Sequence, residues 1–232
     1  MKQTEKAKSC FEKAIKIKPN YIEAHNNLGN LLHKFGEFKK AINCFEKAIK
    51  INSHQAVPHY NLGNAQKELG DYQKAKNYFL KAIEIKSDYI EAHINLGEVF
   101  QTLGEFKKAI NCFKQAIIIQ PNSANAYYNF GVTLGKLGEY QNAINYFQKA
   151  INLKPDYTIA HSNKLFNLFY LEEVDPKHYL SQAKKFRLSL KPINSELLIK
   201  YQFDVNPKKI KVGFVSGDFR QHPVGYFLLD ML

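Results

Sequence analysis

Apolar residues along this chain recur with two superimposed periods. Over short stretches they fall every three or four positions, as Leu28 and Leu32 or Ala41, Phe45 and Ala48 do, which predicts amphipathic helices. That helical pattern itself repeats every 34 residues, with complete units at 22–55, 56–89, 90–123 and 124–157. Each unit carries Leu or Phe followed by Gly, then Gly, an acidic residue and an aromatic, then Ala, Phe and Ala, and closes on Ile or Leu two residues before Ser or Pro. In the first unit these are Leu28-Gly29, Gly36-Glu37-Phe38, Ala41, Phe45, Ala48, Ile51 and Ser53.

The positions have physical roles. The leucine at repeat position 7 and the apolar residue at position 11 share one helix face. Glycine at position 8 admits a close neighbour. Glycine at position 15 ends the first helix in a left-handed turn, and the acid after it suits the positive start of a second helix. Small alanines at positions 20 and 27 leave room for the aromatic at position 24, and Pro19, Pro121 and Pro155 terminate second helices. Period and anchors together resemble the tetratricopeptide repeat over residues 1–157. The resemblance implies an all-α right-handed solenoid of helix pairs with a concave groove lined by first helices. Residues 1–21 read as the second helix of a further, partial unit, so the pattern reads as beginning inside a repeat.

Position 6 is asparagine in every unit: Asn27, Asn61, Asn95 and Asn129, continued by Asn163. An amide both donates and accepts, so such a column along a groove suits an extended peptide backbone, whatever its side chains. Duplication within an asparagine-rich chain is the alternative, because position 22 is also always asparagine (Asn43, Asn77, Asn111, Asn145). Position 22 belongs to the second helix, where outward exposure is expected. Position 4 holds His25, His59, His93, Tyr127 and His161, one per repeat. That spacing suits packing and not a set of metal ligands. Groove cations for a carboxylate clamp are absent: position 2 reads Glu23, Val57, Glu91, Asn125 and position 5 reads Asn26, Tyr60, Ile94, Tyr128.

Composition changes this picture little. The net charge is +12, yet the lysines are spread over all repeats and only Arg187 and Arg220 are arginines, so a solvated surface is the reading and nucleic acid is not expected as a partner. Cys10, Cys44 and Cys112 share one repeat position. Equivalent positions of stacked repeats lie about 10 Å apart, too far for a disulfide, so free thiols are expected. No 18-residue apolar run and no signal-peptide core occur, which points to a cytoplasmic protein without membrane contact.

After Tyr157 the pattern fails. Lys164 replaces the position-7 leucine, and residues 158–208 read as a capping helix, a helix opening at Asp175-Pro176, and a proline-containing linker. From residue 209, Ile210, Val212, Phe214 and Val215 read as a buried strand, Ser216-Gly217-Asp218 as a turn, and Val224–Leu232 as a helix start. This β-α step is the opening of a doubly wound domain, whose ligands bind at the carboxyl ends of strands. His222 lies at that rim.

The run VGFVSGDFRQHPVGYF, with EAHNNLGN repeats and SNKLFNLFY before it, resembles the O-GlcNAc transferase family of protein glycosyltransferases. The resemblance implies a GT-B catalytic domain beginning at 209 and broken off at 232, with His222 at the active site as base or donor contact. It implies UDP-GlcNAc as donor substrate and no cofactor, with acceptor proteins held through Asn27, Asn61, Asn95, Asn129 and Asn163. It also leads one to expect the chain as it stands to be inactive alone, since the donor-binding lobe is not in it. Two alternatives stay open: the same architecture using GDP-fucose, and a non-catalytic interaction scaffold.

Overall fold

The computed structural model describes residues 2–171 and 176–189. Among the described residues there are eleven helices and no strand: α1 (Lys2–Ile17), α2 (Ile22–Lys34), α3 (Phe38–Ile51), α4 (Ala56–Glu68), α5 (Tyr72–Ile85), α6 (Ile90–Thr102), α7 (Phe106–Ile119), α8 (Ala124–Lys136), α9 (Tyr140–Leu153), α10 (Thr158–Phe169) and α11 (Pro176–Ser189). The strand expected at Ile210–Val215, the helix start at Val224–Leu232 and His222 lie outside the described residues, as does the linker from 190 onward.

Each unit is a helical hairpin, closed by glycine. Gly36, Gly70, Gly104 and Gly138 all adopt φ between 76° and 79°. Around the first of them, the Gly36 N–H donates to the His33 carbonyl at 2.9 Å and the Glu37 N–H to the Leu32 carbonyl at 2.9 Å. This double reach-back satisfies the last carbonyls of α2, and it recurs after α4, α6 and α8. The acid that follows opens the next helix. The Asp71 carboxylate accepts from the Lys74 backbone N–H at 3.1 Å, and Lys40 and Lys108 reach back to Glu37 and Glu105. These hydrogen bonds from lysine hold the Glu37, Asp71 and Glu105 carboxyls below their ordinary range.

The close neighbour that the position-8 glycine admits is a phenylalanine ring. A Cβ on Gly97 would sit 2.5 Å from Cε1 of Phe113, and one on Gly63 or Gly131 would meet Phe79 or Phe147 at 2.7 or 2.8 Å. Phe45, Phe79 and Phe113 are fully buried and Phe147 is 1% exposed. The ring of the second helix thus fills a notch in the first. Alanines at positions 20 and 27 (Ala41 and Ala48, Ala75 and Ala82, Ala109 and Ala116, Ala143 and Ala150) are themselves wholly buried on either side of it.

Stacking of the hairpins curves the array. Each first helix touches the next first helix directly (α2 with α4, α4 with α6, α6 with α8, α8 with α10), and no second-helix pair of comparable contact occurs among the described residues. First helices therefore line the inner face and second helices splay along the outer one. Asn43, Asn77, Asn111 and Asn145 are exposed on the second helices, as their position implied.

The position-4 histidines lock one repeat to the next. Nε2 of His25, His59, His93 and His161 donates to the carbonyls of Pro19, Ser53, Ser87 and Pro155, at 2.8, 3.0, 2.9 and 2.9 Å. A carbonyl can only accept, so the imidazole must carry its proton on Nε2. The packing role expected of these residues is real for the three buried ones, but the hydrogen bond across the repeat boundary adds a function that packing alone lacks. Tyr127 occupies this position in the fourth unit and packs on Tyr146 instead, with centroids 6.1 Å apart.

At the far end, Lys164 replaces the position-7 leucine and extends between helices. It donates to the Gln148 side chain of α9 at 2.7 Å and to that of Gln182 in α11 at 2.8 Å. A cation thus joins α9, α10 and α11 where the earlier repeats use an apolar core. Pro176 opens α11 in the first turn, where a missing N–H costs nothing.

Two outcomes test this account. Gly97→Ala should destabilise the protein by about 1–3 kcal/mol, although alanine is the better helix former. Combined with Phe113→Leu, the two changes should couple by about 1 kcal/mol in urea denaturation, and strictly additive losses would refute the notch. The second outcome concerns His59. Burial holds its imidazole below the ordinary value, and its Nδ1 is buried with no partner, so the folded state resists the second proton. The unfolded chain takes up that proton near pH 6.5. Stability from His59 is therefore complete above about pH 6.5 and declines as pH falls below it. The melting temperature should drop between pH 7.5 and 5.5, and His59→Gln should shrink that drop; an equal drop in both proteins would count against it.

Candidate peptide-binding groove

The inner face is built from positions 2, 5, 6 and 9 of the first helices, which point the same way because they lie three or four residues apart. Four of the five ladder asparagines are half-buried there, and Asn27 is exposed. The amides are not free-standing. The Asn61 Nδ2 donates to Oδ1 of Asn26 at 2.9 Å. Asn95 Nδ2 donates to the Tyr60 hydroxyl at 3.2 Å and to Asn64 Oδ1 at 2.6 Å. Asn129 Nδ2 donates to Glu98 Oε1 at 3.2 Å, and Asn163 Nδ2 to the Tyr128 hydroxyl at 2.9 Å. Each bond crosses from one repeat to position 5 or 9 of the repeat before it.

Asn61, Asn95, Asn129 and Asn163 form a column of separate hydrogen bonds, each to the repeat before it. Asn27 takes no part in it. Orientation follows from chemistry at one point at least. A carboxylate only accepts, so Asn129 must turn its NH2 to Glu98 and leave its Oδ1 for another donor. At Asn95 both amide hydrogens are taken, so Oδ1 is again the remaining group. The column therefore offers acceptors, which backbone N–H groups of a bound strand can satisfy.

Glu98 makes two inter-repeat contacts and was not among the residues expected in the site. Besides Asn129 in α8, it pairs with Lys67 of α4, with Nζ 2.8 Å from Oε2. Three successive first helices are tied by one carboxylate. The available signal was small: Glu98 replaces the asparagine found at position 9 in the two earlier units.

Aromatic rings complete the wall. Tyr60 packs at a tilt against Tyr89 with centroids 4.9 Å apart, and Tyr128 against Tyr157 at 5.1 Å. Tyr157 also donates from its hydroxyl to Asn125 Oδ1 at 3.1 Å. Burial pushes the Tyr89 and Tyr157 phenols up to about 12, so both stay neutral hydrogen-bonding groups at physiological pH. A pocket of about 360 Å³ opens between these rings, lined by Asn95 and Asn129 among others.

Other sequence candidates stay apart from the groove. Cys10, Cys44 and Cys112 are free thiols, Cys112 buried in the core with its thiol pushed up to about 12 by burial. No group of three or more potential metal ligands occurs among the described residues. No helix among them is long and apolar enough to cross a membrane.

Comparisons with known proteins agree with this geometry. The tetratricopeptide repeat model matches residues 22–88, 59–120 and 88–156, and a second model, described as TPR repeat, matches residues 1–36. Both stop short of the run VGFVSGDFRQHPVGYF. No curated protein matches the chain. Among solved structures, the chain is similar to MamA at 28% identity and TM-score 0.62, covering 66% of this chain and 89% of that one. It is similar to YrrB, described as a TPR protein with an unusual peptide-binding site, at 25% identity and TM-score 0.63, covering 77% and 91%. PilF of Pseudomonas aeruginosa shares the fold at 18% identity and TM-score 0.66, covering 75% and 78%. With the repeat model spanning more than half of its residues, this chain belongs to the tetratricopeptide repeat family.

Proposed function

We propose that this protein is a protein-interaction scaffold whose inner face holds an extended segment of a partner protein. The observation that carries the reading is the column of Asn61, Asn95, Asn129 and Asn163, each braced by the preceding repeat, with acceptors left at Asn95 and Asn129. Repeats stacked about 10 Å apart match about three residues of extended chain at 3.3 Å each. One asparagine per repeat thus meets the partner backbone at regular intervals without reading its side chains. YrrB, a similar protein described as having a peptide-binding site, supports the analogy.

Each backbone contact of this kind contributes about 1 kcal/mol. Replacing Asn95 and Asn129 by alanine should therefore weaken binding of a selected peptide about tenfold to thirtyfold in isothermal titration. Unchanged affinity would exclude the ladder as the binding element.

A narrower reading has the groove present acceptor proteins to a glycosyltransferase centred on His222. It rests on the motif VGFVSGDFRQHPVGYF alone, with UDP-GlcNAc as donor and GDP-fucose as the alternative. An attacking serine or threonine hydroxyl must lose a proton, and an imidazole titrating near neutrality is suited to take it. The complete gene product should then transfer labelled sugar from one of these donors to a bound acceptor, and His222→Ala should abolish the transfer. No transfer from either donor, with peptide binding intact, would leave the scaffold reading in possession of the field.

A further inference from the structure

Repeat positions 5 and 34 form an aromatic pair in the second and fourth units, Tyr60 on Tyr89 and Tyr128 on Tyr157. The third unit, between them, has Ile94 and Ser123 at those two positions. The third unit therefore lacks the rings found on either side of it, as does the first unit with Asn26 and Gln55. The pocket of about 360 Å³ occupies that gap: Ile94 contributes to its lining, Tyr60 stands at one side, and Tyr128 and Tyr157 stand at the other.

Its charge is one-sided. The charged side chains that line it are Glu91 and Glu98, both acidic. Glu98 is partly neutralised by Lys67, whereas Glu91 is exposed and makes no ion pair among the described residues. Elsewhere the surface is basic, with Lys107, Lys108 and Lys114 on the adjoining α7, which carries no acid. An anionic occupant would meet two carboxylates, and an apolar one would strand them without water. A flexible aliphatic stem ending in a cation satisfies every wall at once. The stem lies on Ile94 and the tyrosine rings, and the head sits over ring faces, where cations are attracted, within reach of the carboxylates.

We propose that this pocket is a subsite for a lysine or arginine side chain of the partner segment, placed between the backbone contacts at Asn95 and Asn129. The inference rests on the groove reading and adds to it a side-chain preference, which the asparagine column alone cannot supply. Position 2 and position 9 acids set the charge, and the absent aromatic pair sets the volume.

Selection of displayed random twelve-residue peptides against the protein tests it. Recovered binders should carry lysine or arginine at one fixed position, and replacing that residue by norleucine or citrulline should cost about tenfold in affinity. Glu91→Gln, at the exposed acid that makes no ion pair among the described residues, should weaken this discrimination while leaving affinity for the norleucine or citrulline peptide unchanged. Ile94→Tyr, which restores the residue type of the flanking units, should fill the pocket and erase the discrimination; circular dichroism confirms that each variant is folded. Binders with no basic preference, or a preference undiminished by Glu91→Gln, would overturn the subsite and leave the groove standing. Binders indifferent to Asn95→Ala with Asn129→Ala would overturn the groove reading and the subsite with it.

Discussion

The seating of a phenylalanine ring in a glycine notch is the contact from which the rest of this molecule follows. Gly97 and Phe113 lie sixteen residues apart, across the hairpin turn at Gly104. Bringing the ring against the bare backbone sets both the separation and the rotation of the two helices. The fully buried alanines on either side of the ring permit nothing larger. Interiors are packed as densely as organic crystals, so this arrangement has little freedom, and its fourfold repetition fixes the direction in which every first helix presents its polar face. The asparagine column recurs in register because the notch is the same in each unit.

Apolar packing within hairpins is joined by polar bonding between them. His25, His59, His93 and His161 clasp the turn that precedes their own repeat, and Asn61, Asn95, Asn129 and Asn163 reach back along the inner face. In a stacked array stability is a sum of repeat and neighbour terms, and here the neighbour term includes the groups that offer themselves to a partner. This dual use has a consequence for recognition. Side chains already held by hydrogen bonds lose little freedom when a ligand arrives, which lowers the entropic cost of binding. Glu98, bonded to both Lys67 and Asn129, braces the inner face across α4, α6 and α8.

Much of the architecture was legible in the sequence because its signals are local or strictly periodic. Positive φ at Gly36 follows from a glycine between two helical patterns, and burial of Phe113 follows from its spacing to Ala109 and Ala116. Less legible was anything that crosses a repeat boundary. The partner of His59 is the carbonyl of Ser53, a backbone atom that any residue could provide, so no residue type announces it. Glycine at position 8 signalled closeness, but whether a backbone or a ring would occupy the space depends on how the second helix is rotated. The asparagine column could be read, yet the donors it spends on Tyr60, Asn64, Glu98 and Tyr128 could not, because positions 5 and 9 vary between units and their register is set only by stacking. The motif around His222 is legible in another sense: it rests on resemblance, which periodicity neither adds to nor subtracts from.

Positions that agree between repeats and positions that differ carry different kinds of information. Agreement at Gly29, Gly63, Gly97 and Gly131 builds a scaffold, and a scaffold alone offers the same surface at every step, so a bound strand could slide along it by one repeat with no change in energy. Register requires a step that is unlike its neighbours. The third unit supplies one, with isoleucine and serine where the units on either side have paired tyrosines, and with acids at positions 2 and 9. An asparagine column proposed to hold a backbone is uniform along the array, whereas the cavity beside Ile94 brings two acids to one step of it. Affinity spread evenly over the array and selectivity concentrated at one irregular repeat are therefore complementary requirements of binding an extended segment in a single register.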